Sequence, residues 1–448
     1  MERNHQNGMV HHPALRLLGG CLAITLSTSL ASPAEHDPIE VLKRVTAKVV
    51  AAGKVIPNYT CVETVNRDFY RPAPANRPRA CPVLLEQRQH PTKDPGLRLL
   101  STDRLRLDVA MVQRGEIFSW VGASKFDDAD VGHLVREGPI GSGAFGAFLS
   151  VVFQQDQAQF AFEKNTVADG RSLLEYSFQV RREDSHYKIK TKDDLWIYTA
   201  YGGRFLVDPE TEDVVRMSVQ TAELPPATNQ CMLETDMDFG IAQIGDAPVL
   251  LPTHARQRFV YQDGEETENT TTFANCREYR GESTITFEEE PAAAAPGKAG
   301  SAPARPASVP AGLPFTLELT APIPAGTAAA GDSFFCRLVS PLRDGKQKVL
   351  ARAGSVVEGR LLRVQTYHLS PAEVIVVLKP ESLEIGGSKV PLTAVRDYTR
   401  EVVAARSRAR RSAPILIPRP GEEHAGLFRF SGTDVVIRKG LRSDWRSQ

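Results

Sequence analysis

The chain is expected to be mainly β: a curved antiparallel sheet (half-barrel) with an N-terminal and an inner helix, tethered to a smaller β-barrel or sandwich. Three observations predict this. Between residues 59 and 287, apolar side chains recur with a period of two, the mark of strands with one buried face. Short turns rich in Asp, Gly and Pro separate these runs, so successive strands should be antiparallel. Residues 291–314, PAAAAPGKAGSAPARPASVPAGLP, hold too few apolar side chains to offset the entropy of ordering, which is the composition of a linker. The expected organisation is a signal peptide at 1–34, a β-rich domain at 35–290, a linker at 291–314 and a small β-domain at 315–448.

The totals agree with that division. A chain of 448 residues exceeds one ordinary domain, and 42% hydrophobic with 24% charged residues describes soluble globular material. Lys+Arg and Asp+Glu both total 54, so the chain lacks the basic excess of a dedicated nucleic-acid binder.

At the N-terminus a polar start with Arg3, His11, His12 and Arg16 leads into an apolar run at 17–30, followed by small residues suited to cleavage. The run is shorter than the ~20 residues that span a bilayer. The expectation is export to the periplasm or the extracellular space, with no transmembrane span after cleavage. Leu18-Gly19-Gly20-Cys21 is similar to a lipobox, which would anchor the chain at Cys21. Most of the apolar run follows Cys21, so the cleaved form is preferred.

Asp37-Pro38-Ile39-Glu40 starts a helix: Asp caps, Pro fills the first turn and Glu completes a capping box. Ile39, Leu42, Val45 and Val49 are expected on its apolar face, and Gly53 at its end. Leu105, Leu107, Val109 and Met111 then alternate with polar or small residues, and Gln113–Glu116 turns this strand into the next. Leu174, Tyr176, Phe178 and Val180 form another strand after an Asp169-Gly170 turn. Residues 204–207 and 214–222 flank a turn at 208–211, and 253–261 and 267–273 flank Asp263-Gly264, a hairpin signal.

One helix interrupts the strands. Residues 141–146 match GxGxxG, but the polar, irregular stretch before them is no buried parallel strand and no βαβ alternation surrounds them, so no nucleotide cofactor is expected. The preferred reading is a helix capped by Ser142, with Phe145, Phe148, Leu149, Val152 and Phe153 on one face, packed on the sheet's concave side.

The segment Pro57-Asn58-Tyr59-Thr60, the hairpin at 205–211 with Val214-Val215-Arg216, and a closing strand at 279–287 carry a resemblance. In this arrangement residues 35–290 resemble the periplasmic lipoprotein-carrier half-barrel, the group of LolA-like carriers and RseB-like envelope-stress sensors. The resemblance implies a concave face that holds acyl chains.

Beyond the linker, Phe315, Leu317 and Leu319 open a strand, and 349–352, 356–364, 374–378 and 389–395 follow between Gly-containing turns. Residues 353–360, AGSVVEGR, are similar to barrel strands of TrbI-like conjugation-channel components. A basic loop with Arg406, Arg408, Arg410 and Arg411 reads as solvated. Residues 428–430 and 435–437 are expected to form a last hairpin.

Cys61, Cys81, Cys231 and Cys276 precede the linker and suit two disulfides in an oxidising compartment. Three pairings are open to them, with Cys61–Cys81 and Cys231–Cys276 the expected one, leaving Cys336 free. No paired-His or Cys/His ligand spacing supports a metal site, and no nucleophile motif occurs. The acidic clusters at Asp127, Asp128 and Asp130 and at 288–290 lack calcium-loop spacing. The expected function is a non-enzymatic envelope protein that binds a lipid or lipoprotein acyl chain in the half-barrel. Phe145, Phe148, Leu149, Val152 and Phe153 are its candidate ligand-binding residues. The alternative is a structural or assembly module with envelope protein partners; the third is an enzyme whose groups converge from distant strands.

Overall fold

The computed structural model describes residues 36–55, 58–73, 80–89, 96–112, 115–123, 126, 131–141, 147–279, 309–398 and 418–448. Outside the described residues lie the signal segment, nearly all of the linker, Ser142, Phe145, both acidic clusters, residues 280–287 of the expected closing strand, and the four arginines of the basic loop.

The first strand group runs α1 (Pro38–Val55), β1 (Tyr59–Pro72), α2 (Cys81–Gln89), β2 (Leu97–Val112), β3 (Gly115–Trp120), α3 (Val131–Leu134) and α4 (Ala147–Ser150). A π-helical turn (Val151–Gln155) extends α4, then come β4 (Gln159–Ala168), β5 (Arg171–Val180), β6 (Lys188–Lys190), β7 (Trp196–Tyr198) and β8 (Tyr201–Asp208). β9 (Asp213–Thr221), β10 (Gln230–Ile244), β11 (Ala247–Tyr261) and β12 (Glu266–Glu278) complete it.

These strands form one open antiparallel sheet in the order β4-β5-β8-β9-β10-β11-β12-β1-β2-β3, with β6 and β7 paired as a separate hairpin. Side-chain alternation sets the register. Leu174, Tyr176, Phe178 and Val180 of β5 are all buried, as are Leu105, Leu107 and Val109 of β2. The hairpins at β8–β9 and β11–β12 form where Asp-Pro and Asp-Gly turns predict them. The local pattern does not reveal that β1, the first strand, lies between β12 and β2.

That non-local pairing explains one of the two disulfides, and the packing of α2 on β10 the other. Cys61 and Cys276 are bonded, and so are Cys81 and Cys231, in place of the expected Cys61–Cys81 and Cys231–Cys276. Cys61 sits at the β1–β12 register shift, which brings its Cα within 4.1 Å of that of Cys276. Cys81 opens α2, which sets Leu84 and Leu85 against Met232 and Val260, beside Cys231. Cys336 is free and buried, as expected.

α1 and α4 cover the same face of the sheet. Val41 and Val45 of α1, and Phe148, Leu149, Val152 and Phe153 of α4 and its π turn, share one core with Tyr176, Phe205, Met217 and Met237. α1 buries Val41 instead of Ile39, which is 63% exposed. The buried line follows the i, i+4 spacing of Val41 and Val45, and Ile39, two residues before Val41, falls on nearly the opposite side of the helix. Nor does Gly53 end α1, which continues to Val55. The Gln154 side chain lies beside Gly53 and donates from Nε2 to Val49 O at 3.2 Å, tying the π turn to α1.

The second strand group contains β13 (Pro314–Leu319), β14 (Ile323–Pro324), β15 (Ser333–Leu338), β16 (Leu342–Arg343), β17 (Val349–Ala351) and β18 (Val356–Tyr367). β19 (Glu373–Ile385), β20 (Ser388–Pro391), β21 (Ala394–Arg396), β22 (Gly426–Ser431), β23 (Val436–Ile437) and β24 (Arg442–Ser447) follow. They enclose a core containing Leu317, Val357, Val376, Phe428 and Trp445. The expected last hairpin is absent: β22 pairs with β19, and β23 with β14. Phe428 and Ile437 both sit in this core, but their strands reach it beside different partners, β19 and β14.

The two groups are joined by main chain. β18 pairs with β2 through Gln365↔Asp103, Thr366↔Thr102 and Tyr367↔Ser101. Ala330 N donates to Arg104 O and Arg106 N to Ala330 O, both at 2.8 Å, and Arg106 forms an ion pair with Asp332.

Candidate functional site

Beside α4, on the sheet face that the helices cover, lies a groove of about 560 Å³. Leu233 of β10 and Gln257 and Phe259 of β11 line it from the sheet. Val131 of α3 and Pro139 and Ile140 of the segment after it line it from another side, and Phe148 and Val151 from α4 and its π turn. Tyr187, Ile189 and Trp196, of the β6–β7 hairpin and the residue before it, complete the lining.

Each wall is held in place. The segment at 137–141 is pinned from below: Arg67 Nη1 donates to Glu137 O at 2.8 Å, and Asn269 Nδ2 to Pro139 O at 3.0 Å. At Gly141 a Cβ would approach Gln257 Nε2 to 2.3 Å, so any larger residue here would have to displace the Gln257 side chain. Ile189 packs with Leu224, Leu233 and Phe259, which seats the hairpin on the sheet. Phe148 stacks on Tyr187 with ring centroids 5.4 Å apart, joining α4 to the hairpin.

Polar groups gather where the hairpin begins. The buried carboxylate of Asp156 accepts from Tyr201 OH at 2.6 Å and from His186 N at 3.2 Å, and pairs with the His186 ring. Burial, then the hydrogen bond and charge of Asp156, raise the Tyr201 hydroxyl above the usual tyrosine range. Lys188 and Lys190 lie over the rings of Tyr198 and Trp196. Gln230 lines the groove with a buried Oε1 that has no hydrogen-bond partner among the described residues.

The inner face of the sheet is also polar away from the groove. Glu63, Arg67, Thr235 and Asn269 are all buried. Arg67 grips Asp103 in a two-pronged pair at 2.8 and 2.7 Å, with both side chains shielded from solvent. The carboxyl of Glu63 is pushed up to about 8 by burial and then by the charge of Glu116. Its Oε2 has no hydrogen-bond partner among the described residues.

Of the five candidate ligand-binding residues, Phe148 lines the groove, while Phe145 is outside the described residues. Leu149, Val152 and Phe153 point into the helix–sheet core: Val152 is 1% exposed, and Phe153 packs on Phe160 and Phe205. The sequence reading had not singled out Leu233, Phe259, Ile140, Tyr187 or Trp196. Phe259 belongs to the period-two pattern of its strand, but nothing local marks the side chain that faces a groove rather than filled core. Trp196 is 53% exposed, an unusual position for so large an apolar side chain, and exposure is not legible in one sequence.

Neither a protein-family model nor a curated protein matches the chain. Among solved structures, one described as an outer membrane lipoprotein-sorting protein domain from Vibrio parahaemolyticus is similar over 55% of this chain and 97% of its own, at 10% identity and a TM-score of 0.27. A DUF1329 family protein from Desulfovibrio piger ATCC 29098 is similar over 56% of this chain and 98% of its own, at 10% identity and a TM-score of 0.26.

Proposed function

We propose that this is an exported, non-enzymatic envelope protein that holds an apolar ligand, a lipid or a lipoprotein acyl chain, in the groove beside α4. The observation that carries the reading is the groove itself: about 560 Å³, walled by apolar side chains from sheet, helix, loop and hairpin. That volume lies in the range of small-molecule sites, which are mostly apolar with a few placed polar groups. Each methylene removed from water contributes about 0.8 kcal/mol, so eight buried carbons supply roughly 6 kcal/mol before the costs of association. Lys188, Lys190 and His186 at the hairpin end suit the polar end of an amphiphile. The two disulfides support export, since they persist in oxidising compartments.

The test is a titration of the mature protein with cis-parinaric acid below its micelle concentration, read by energy transfer from tryptophan. Saturable binding is expected, lost in Val151→Trp and in Ile140→Trp, which fill the groove, once circular dichroism shows both variants folded. Binding unchanged in both variants, or no binding, contradicts the reading.

A second reading has its own observation. Leu195, Trp196 and Tyr198 are exposed together on the hairpin, a surface suited to an envelope protein partner. Replacing Leu195 by Ser would weaken such a complex and leave fatty-acid binding intact.

A further inference from the structure

We propose that the cleft where the two strand groups meet is a binding site for a phosphate-type oxyanion. This cavity of about 210 Å³ is distinct from the groove and is lined by Arg67, Arg104, Arg136, Arg363, Lys379 and Arg419. Three carboxylates share the lining, those of Asp103, Glu137 and Glu422. The chain as a whole has a formal net charge of +0, so three excess positive charges around one small cavity are a local concentration.

The carboxylates are already engaged. Asp103 is held by both prongs of Arg67, and Glu137 by Arg419 Nε at 2.7 Å. Glu422 accepts from Arg363 Nη2 at 2.8 Å and from the Arg419 backbone N at 2.9 Å. What remains is cationic. Arg104 donates to Asn66 Oδ1 and Gly326 O, both neutral. Lys379 makes no hydrogen bond or ion pair among the described residues, and Arg136 makes none either, although it feels the charge of Glu423 at the rim of the cleft.

The strongest sign is Arg363. Its side chain is 8% exposed, yet its buried Nε has no hydrogen-bond partner among the described residues. Burial, and then the neighbouring charge of Arg419, hold its guanidinium below the usual arginine range. A buried guanidinium with an unsatisfied donor beside a second one is a costly arrangement that an anion relieves. Guanidinium forks match the spacing of phosphate oxygens, and Lys379 adds a point charge. The cavity is less than half the volume of the groove, which suits a headgroup-sized anion.

The test is isothermal titration calorimetry of the full mature chain with inorganic phosphate at low ionic strength, where exposed charges are least screened. A parallel arm measures co-sedimentation with phosphatidylcholine vesicles, with and without phosphatidylglycerol. Lys379→Gln and Arg136→Gln should each weaken binding at least about tenfold, the loss of one charge-assisted contact, and melt like the parent. Phosphate binding weakened by both variants supports the site with a free phosphate or phosphate ester as ligand. Binding only to phosphatidylglycerol vesicles, weakened by both, supports it with a lipid headgroup as the source. No binding of either probe, or binding that both variants leave unchanged, overturns the proposal.

Discussion

Replacing Glu63 by Gln should stabilise the protein at neutral pH by about 3 kcal/mol and leave its stability near pH 4 unchanged. Glu63 lies on the buried face of β1, opposite Leu107 of β2 and Phe273 of β12. Burial and the charge of Glu116 raise its carboxyl from the ordinary value of 4.5 to about 8. At pH 7 the folded chain therefore keeps this proton while the unfolded chain has lost it. Because the folded state binds more protons, stability is fully present below pH 4.5 and is lost as pH rises toward 8. The slope is about 1.4 kcal/mol per pH unit, and from 4.5 to 7 it accumulates to about 3 kcal/mol. Gln has nearly the same shape and no proton to lose. Asp68, Glu234 and Asp236 are also raised by burial, but they act equally in both proteins and cancel in the difference. The assay is urea unfolding of parent and variant, disulfides intact, at half-unit steps from pH 4 to 8. Two parallel stability curves, or a variant less stable than the parent at pH 7, would refute a buried protonated Glu63.

Three other outcomes follow from the packing. Arg67→Met leaves the Asp103 carboxylate buried without its partner and frees the loop at Glu137, so a loss of 3–5 kcal/mol, roughly, is expected in urea unfolding. Gly203→Ala puts a Cβ 1.8 Å from Ser218 O on the neighbouring strand; the β8–β9 pair must shift, and the melting temperature should fall by several degrees, the mark of about 1–3 kcal/mol. Peptide mapping without reduction should recover Cys61 linked to Cys276 and Cys81 linked to Cys231, and Cys81→Ala should cost about 2–4 kcal/mol.

What the sequence revealed, and what it hid, divides by range. Alternation in β5, and in β2 as far as Leu107, and the turn chemistry at Asp169-Gly170 and Asp263-Gly264 are local, and the structure follows them; beyond Leu107 both faces of β2 are covered, so Asp108 and Ala110 are buried while Met111 is only partly so. The start of α1 was legible for the same reason. Its buried face was not, because Ile39 and Val41 are equally apolar and only the packed sheet selects between them. The Cys61–Cys276 bond depends on β1 lying beside β12, a contact over 215 residues for which alternation holds no information. α2 carries little amphipathic signal and was not expected at all; it is placed by Leu84, Leu85 and a disulfide. At the candidate site, Phe148 was found because it belongs to an apolar helix face. Leu149, Val152 and Phe153 share that face but complete a core, since a helix laid on a sheet turns only its edge toward the neighbouring groove.

The claim that the groove holds an apolar chain is tested most directly by a native mass spectrum of the mature protein, purified without detergent from its own envelope. The account predicts a reproducible added mass of a lipid or an acylated peptide, absent from Val151→Trp prepared in the same way. A clean apo mass in the parent, with no adduct after incubation with total envelope lipid, would contradict it.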